Sequence, residues 1–240
     1  MFELTIQTWL TVGFAGMALG TLPPLWQSRA DPEHRTHYAI LTAITAVAAV
    51  AYLGMRFGVG TVAVSGRPLY LLRYADWFVT TLLLMGYLWL LTNAGRAALA
   101  RLLVFDALVI GFGVAAVLLP TPIRFAAFAA GGVAFLALVR ELVVRLPALA
   151  SFRPARRRAT FEKLRNVTVV LWTLYPVVWL LGPAGLGLLQ PATEVLVFVY
   201  LDVVAKGGFV VMAVNGLAGL TDGGDDRESA TDDAEPVIAD

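Results

Sequence analysis

Residues 197–211, VFVYLDVVAKGGFVV, decide the fold. The stretch is apolar enough for the interior of a bilayer, yet it carries Asp202 and Lys206, four positions apart and therefore on one face of a helix. Lys206 is one of only two lysines in the chain. An ionisable side chain inside a membrane is costly, faces the bundle interior and marks a functional site by default. A lone buried ammonium either loses its proton or finds a partner. A buried amine is also the group that condenses with an aldehyde to give a Schiff base. On this stretch alone a structural Asp–Lys pair and an aldehyde-binding lysine are both open.

Working outward, the whole chain has the same solvent preference. Of its 240 residues 59% are hydrophobic and 15% charged, with a mean hydropathy of +0.76. Soluble domains run at roughly 45–50% apolar with about a quarter charged, so a soluble all-α core is set aside. A spanning helix needs about 20 mainly apolar residues, and seven such stretches fit at 3–26, 37–58, 69–92, 97–119, 123–146, 163–182 and 192–219. The predicted fold is an all-α membrane protein, a bundle of seven transmembrane helices. The alternation Thr61-Val62-Ala63-Val64 after the second span predicts a hairpin. There is no cysteine, which excludes disulfides and thiol chemistry. His34 and His37 share a polar loop with Asp31 and Glu33 but no larger carboxylate cluster, so no metal site is expected.

Charge placement sets the topology. The net charge of +1 conceals an acidic tail, residues 221–240, that holds eight of the seventeen acids and one arginine. Its composition is that of a disordered segment, so the expected division is a membrane domain over 1–220 and a tail over 221–240. Loops after the odd spans hold Arg29 and Arg35, then Arg96 and Arg101, then Arg145, Arg153, Arg156, Arg157, Arg158, Lys163 and Arg165. Those after the even spans hold little beyond Arg67 and Arg124. The positive-inside rule therefore predicts an extracellular N-terminus and a cytoplasmic C-terminus. MFELTIQTWL has no basic segment of the kind that opens a cleaved signal peptide.

Two further spans bear on Lys206. In the third, Arg73, Asp76, Trp77, Thr80 and Thr81 fall on one helical face. An arginine one turn from Asp76 is expected to keep that carboxylate ionised, and Asp76, Asp202, Arg73 and Lys206 together would balance two acids against two bases. In the sixth, Trp172, Tyr175, Pro176 and Trp179 share a face. Such a stripe is more often ordinary packing, but here it includes a proline that frees a backbone carbonyl. Aromatics facing a buried lysine suit a long, flat, conjugated ligand.

RYADWFVTT (73–81), LRNVTVVLWTLYPVVWLLGPAG (164–185) and YLDVVAKGGF (200–209) resemble the three most diagnostic segments of the archaeal microbial rhodopsins, and the likeness covers nearly all of residues 1–220. The resemblance implies a cell-membrane protein that is not an enzyme, with all-trans retinal bound covalently to Lys206 as a protonated Schiff base. It implies Asp76 as counterion and proton acceptor, Asp202 as second counterion, and Arg73 and Tyr52 as their partners. Tyr74, Trp77, Thr80, Thr81, Val109, Gly113, Phe128, Gly131, Gly132, Trp172, Tyr175, Pro176, Trp179 and Ala205 are the expected surroundings of the chromophore. Asp106 resembles a residue that hydrogen-bonds inside the bundle, and it is read as structural.

Within that family the proton path is similar to sensory rhodopsin II. Outward proton pumps place a carboxylic acid eleven residues after the counterion, about 16 Å along the helix. Here the position is Tyr87, a phenol that ordinarily ionises near pH 10 and donates poorly, while the supporting position on span two is Leu41. Val109, Phe128, Gly131 and Gly132 are also similar to sensory rhodopsin II, and removing hydroxyls around the ring end implies blue-shifted absorption. Of the two extracellular carboxylates of pumps, Glu194 remains and Ala184 fills the other place. Tyr200 resembles the tyrosine shown to a transducer, and Gln190 and Thr173 fit that pattern. Ala205, however, is pump-like, and Leu82 replaces a proline usual in both subtypes, which predicts a straighter third span and leaves a middle-type rhodopsin or a light-driven outward pump as alternatives.

The implied partners are a two-span methyl-accepting transducer and membrane lipid, with homo-oligomerisation open and no nucleic acid expected. Arg153 to Arg158 reads foremost as a solvated, topology-setting loop near anionic lipid, contact with a transducer's linker being the other reading.

Overall fold

The computed structural model describes residues 5–64, 66–152 and 155–217. The helices are α1 (Ile6–Ala30), α2 (Arg35–Arg56), α3 (Leu71–Leu90), α4 (Arg96–Leu118), α5 (Ile123–Leu149), α6 (Ala155–Trp172 continued by Leu174–Leu181) and α7 (Pro191–Leu217). The predicted hairpin is present as β1 (Thr61–Val64) and β2 (Arg67–Tyr70), antiparallel with Thr61 opposite Tyr70. Five of the seven helices, α2, α4, α5, α6 and α7, are long and apolar enough to cross a membrane by composition alone. In α3 the polar residues that qualify it as a site element, Arg73, Asp76, Thr80 and Thr81, are the ones that dilute its apolar character. The acidic tail and Arg153 lie outside the described residues.

Helices α1 to α5 pack on their neighbours in chain order, α6 packs on α7 and α1 returns against α7, while Phe128 of α5 stacks on Trp179 of α6. Lipid-facing sides remain apolar, with Val50, Val104, Val133, Leu136 and Val170 exposed, as expected where the solvent is hydrocarbon. Two glycines let α1 come close. A Cβ on Gly13 would lie 2.6 Å from the Tyr52 ring, and one on Gly16 would lie 3.0 Å from Val203. Thr5 caps α1 by accepting from the Thr8 backbone N–H, and Pro191 starts α7 where no N–H is needed.

Some span limits differ from expectation, for local reasons. Helix α6 begins at Ala155 rather than 163, so Arg156 to Arg158 are helical and the basic loop is short. Arginine is a good helix former, and Arg158 pairs with Glu162 one turn on at 2.8 Å. Helix α6 is also interrupted at Thr173. Pro176 has no N–H for the Trp172 carbonyl, and the Thr173 hydroxyl turns back onto the carbonyls of Val169 and Val170. Two turns are wound as π-helix, Glu141–Arg145 in α5 and Val203–Gly208 in α7. The second carries Lys206, in keeping with the tendency of π-turns to occur at functional sites. Helix α3 runs without a break through Leu82, as its missing proline predicts.

Candidate functional site: a buried lysine in an aromatic cavity

Lys206 is 2% exposed, and its Nζ donates to Asp76 Oδ2 at 2.6 Å. Asp202 Oδ1 is 3.7 Å from the same nitrogen. The two carboxylates are held differently. Asp202 accepts from Tyr52 Oη at 2.6 Å, from Tyr175 Oη at 2.7 Å and from Trp77 Nε1 at 3.1 Å. Asp76 gives Oδ2 to Lys206, while its Oδ1 is buried without a partner. A tight ion pair in a dry interior stands only when both charges are otherwise compensated. Here α2, α3 and α6 all send donors to Asp202 to meet that condition.

A long cavity leads away from Lys206 between α3 and α6 toward α4 and α5. Its lining includes Tyr74, Trp77, Thr81, Val109, Gly113, Phe128, Gly131, Gly132, Trp172, Tyr175, Pro176, Trp179, Asp202, Ala205 and Lys206, all singled out from sequence. Trp77 stands edge-on to Tyr175 at 5.2 Å, and Phe128 stacks on Trp179 at 4.5 Å. At the far end nothing lies within 4 Å of a Cβ built on Gly113 or Gly132, so the absence of side chains there leaves room. Asp106 also lines the cavity and accepts from Thr81 Oγ1 at 2.7 Å.

Two expectations need correction. Arg73 does not hydrogen-bond or ion-pair with Asp76 or Asp202. Its guanidinium lies 5.0 Å from the Phe198 ring and 5.4 Å from the Tyr70 ring, with Nε and one terminal nitrogen buried and unpartnered. It lines a second cavity, toward the hairpin, together with Arg67, Ala184 and Glu194, and the face of an aromatic ring attracts a guanidinium there. Thr80 is buried but does not line the cavity around Lys206, and its hydroxyl donates to the Asp76 backbone carbonyl at 2.7 Å.

Leu84, Ile110, Phe135 and Phe198 line the cavity without having been anticipated. Ordinary apolar residues in apolar spans carry no sequence signal that separates cavity from core. Gly13 was missed too, though it lets Tyr52 approach Asp202. Tyr200 is 64% exposed on the outer face of α7, and Gln190 is exposed at the N-cap of the same helix, so neither touches the cavity.

A buried amine 2.6 Å from a buried carboxylate, in an aromatic slot inside seven membrane helices, defines a class: a seven-helix chromophore protein whose pigment is attached to a lysine. The family described as bacteriorhodopsin-like protein matches residues 4–220, and the chain belongs to it. It is 41% identical to sensory rhodopsin-2 of Haloarcula vallismortis over 229 residues, 95% of this chain and 97% of that one. It is 39% identical to sensory rhodopsin-2 of Natronomonas pharaonis over the full length of both. The crystal structure of thermophilic rhodopsin from Rubrobacter xylanophilus superposes with a TM-score of 0.84 at 37% identity, covering 88% of this chain and 95% of that one. The chain is thus a multi-pass membrane protein and a photoreceptor rather than an enzyme, and its cofactor is retinal on a lysine Schiff base.

The residues present fit that group. Lys206 is the only buried lysine among the described residues, the slot is lined mostly by apolar and aromatic side chains, and Gly113 and Gly132 leave open space in it.

Proposed function

We propose that this chain is a sensory-rhodopsin-II-like photoreceptor in which Lys206 carries all-trans retinal, Asp76 is counterion and proton acceptor, and Asp202 is the second counterion. Bound retinal supplies light absorption and an isomerisation that re-aims the lysine nitrogen. In the dark, Asp76 Oδ2 holds the proton on Lys206 Nζ. Asp202 already accepts from three side chains and remains a fixed negative charge. Asp76 has an unused oxygen and receives the proton after light. Ala205 offers no hydroxyl to Tyr175, whose own proton goes to Asp202, so Tyr175 and Asp202 move together.

The observation that carries the receptor reading over the pump is Tyr87. It lies fully buried in an apolar cluster with Leu41, Leu84 and Phe209, where an outward pump needs an acid to return the proton. A slow return gives a long-lived state, which suits signalling and works against net transport. The named relatives support a transducer partner in general terms. The specific partner we assign is a two-span methyl-accepting protein meeting the outer face of α7 at Tyr200 and Gln190. Residues 1–220 form the retinal domain with the N-terminus outside, and 221–240 form a cytoplasmic tail.

The test is light-driven acidification by cells expressing this protein alone, against a proton pump at matched expression. The expected result is little or no acidification from a pigment that recovers slowly. Vigorous, uncoupler-sensitive acidification would replace the receptor reading with a transporter.

A further inference from the structure

At the end of the bundle where the odd-numbered loops lie, two polar atoms are buried without any hydrogen-bond partner: His37 Nε2 on α2 and Tyr87 Oη on α3. Their rings meet edge to face with centroids 5.9 Å apart. Uncompensated polar atoms are rare in a folded interior, and each calls for an explanation. Here the two belong to one pair of touching rings.

The pair is one stage in a row of titratable groups. Asp31, in the turn before α2, accepts from His34 Nδ1 at 2.9 Å and from Tyr38 Oη at 3.2 Å. Burial works to raise the Asp31 carboxyl, but these hydrogen bonds win and hold it below its ordinary value. The His34 ring then meets the His37 ring at 5.6 Å, and beyond Tyr87 the Phe209 ring follows at 5.6 Å, three residues past Lys206. The charged groups facing His37 are His34 and Asp31 from the turn before α2 and Arg157 from α6, whose guanidinium also donates to the Leu90 carbonyl at the end of α3. Imidazole serves as a proton shuttle, one ring nitrogen giving up a proton while the other takes one.

We infer that His37, acting with Tyr87, is the proton carrier that restores Lys206 after light, in the place of the missing carboxylic acid. This rests on the photoreceptor reading above. Imidazolium Nε2 gives up its proton, Tyr87 Oη passes one on through bridging water, and Lys206 Nζ accepts it. The neutral imidazole is then reprotonated from the aqueous side by way of His34, so one proton enters from the cytoplasm for each one returned. Leu41, Leu84 and Phe209 pack beside Tyr87, and water must enter past them, which makes the transfer slow. Arg157 places a fixed positive charge at the mouth of the path and favours the carrier's release of its proton inward.

The test is the recovery rate of the light-deprotonated pigment as a function of pH in the wild type, His37→Gln and Tyr87→Phe. In the wild type, recovery is expected to slow as pH rises, because the carrier is refilled from the aqueous side. In His37→Gln it should be at least about tenfold slower and independent of pH, with azide, a small diffusible acid–base pair, restoring the rate. A variant pigment that recovers with the wild-type rate and pH profile overturns the inference and leaves the receptor reading standing. A wild-type pigment in which light produces no deprotonated form overturns both. In retinal-free protein, nitrogen NMR of His37 should change in Tyr87→Phe, and an unchanged Nε2 resonance and titration would show the two uncoupled and overturn the inference as well.

Discussion

Asp76 and Asp202 share one ammonium, and what separates their roles is what else each one holds. Three donors fix Asp202 in place, whereas Asp76 has one oxygen on Lys206 and one bare. Opposite charges about 4 Å apart are worth about 4 kcal/mol at an effective dielectric near 20. Asp76→Asn removes that stabilisation chiefly from the dark state, where the positive charge sits nearest the carboxylate. The visible band is therefore expected to move to the red, and the light-induced deprotonated form to disappear, both read by flash spectroscopy. An unmoved band would show that Asp76 is not the counterion. Lys206→Ala is expected to leave no covalent pigment, checked by borohydride trapping of the Schiff base. At this scale most of the site was legible, because a bilayer makes each ionisable residue conspicuous. Lys206, Asp76 and Asp202 stand out from seven apolar spans. The partners of Arg73 were not legible: one-turn spacing from Asp76 says that the two share a face, not which way a long side chain turns, and the rings of Phe198 and Tyr70 draw the guanidinium away.

Between elements, the close approach of α1 to α2 decides whether Tyr52 reaches Asp202. Gly13 leaves the Tyr52 ring a space that a Cβ would enter to within 2.6 Å. Gly13→Ala is expected to push the ring aside and cost about 1–3 kcal/mol, the usual range for overpacking. It should lower the thermal midpoint, and combining it with Tyr52→Phe should cost less than the two changes added. Strict additivity would mean that Gly13 acts elsewhere. Spans were readable from length and hydropathy, but two internal features were not. The π-turn around Lys206 depends on how α7 packs, since the sequence VVAKGG has no signature of its own. The break at Thr173 follows from Pro176, whose freed carbonyl was foreseen without its position in the helix. The early start of α6 was hidden because arginines that read as loop by charge are also strong helix formers.

For the molecule as a whole, the predicted orientation follows from where its arginines lie. The hairpin between α2 and α3 carries Arg67, while the connections after α3 and α5 are followed by Arg96, Arg101 and Arg156 to Arg158. The positive-inside rule predicts that such clusters stay in the cytoplasm during insertion, and on that expectation the hairpin and the N-terminus lie outside. In the predicted orientation the His34–His37–Tyr87 row falls on the cytoplasmic side and the cavity of Arg67, Arg73 and Glu194 on the outer side. The absence of cysteine allows a clean test, since any introduced thiol is the only one. Val62→Cys in the exposed hairpin is expected to react with a membrane-impermeant maleimide on intact cells. Ser151→Cys, in the exposed turn before α6, is expected to react only after permeabilisation. The reverse pattern would invert the bundle and move the proposed proton entry at His37 to the outer surface. The proposed transducer contact at Tyr200 would survive the inversion, because that side chain is exposed on the outer face of α7 whichever way the bundle is inserted.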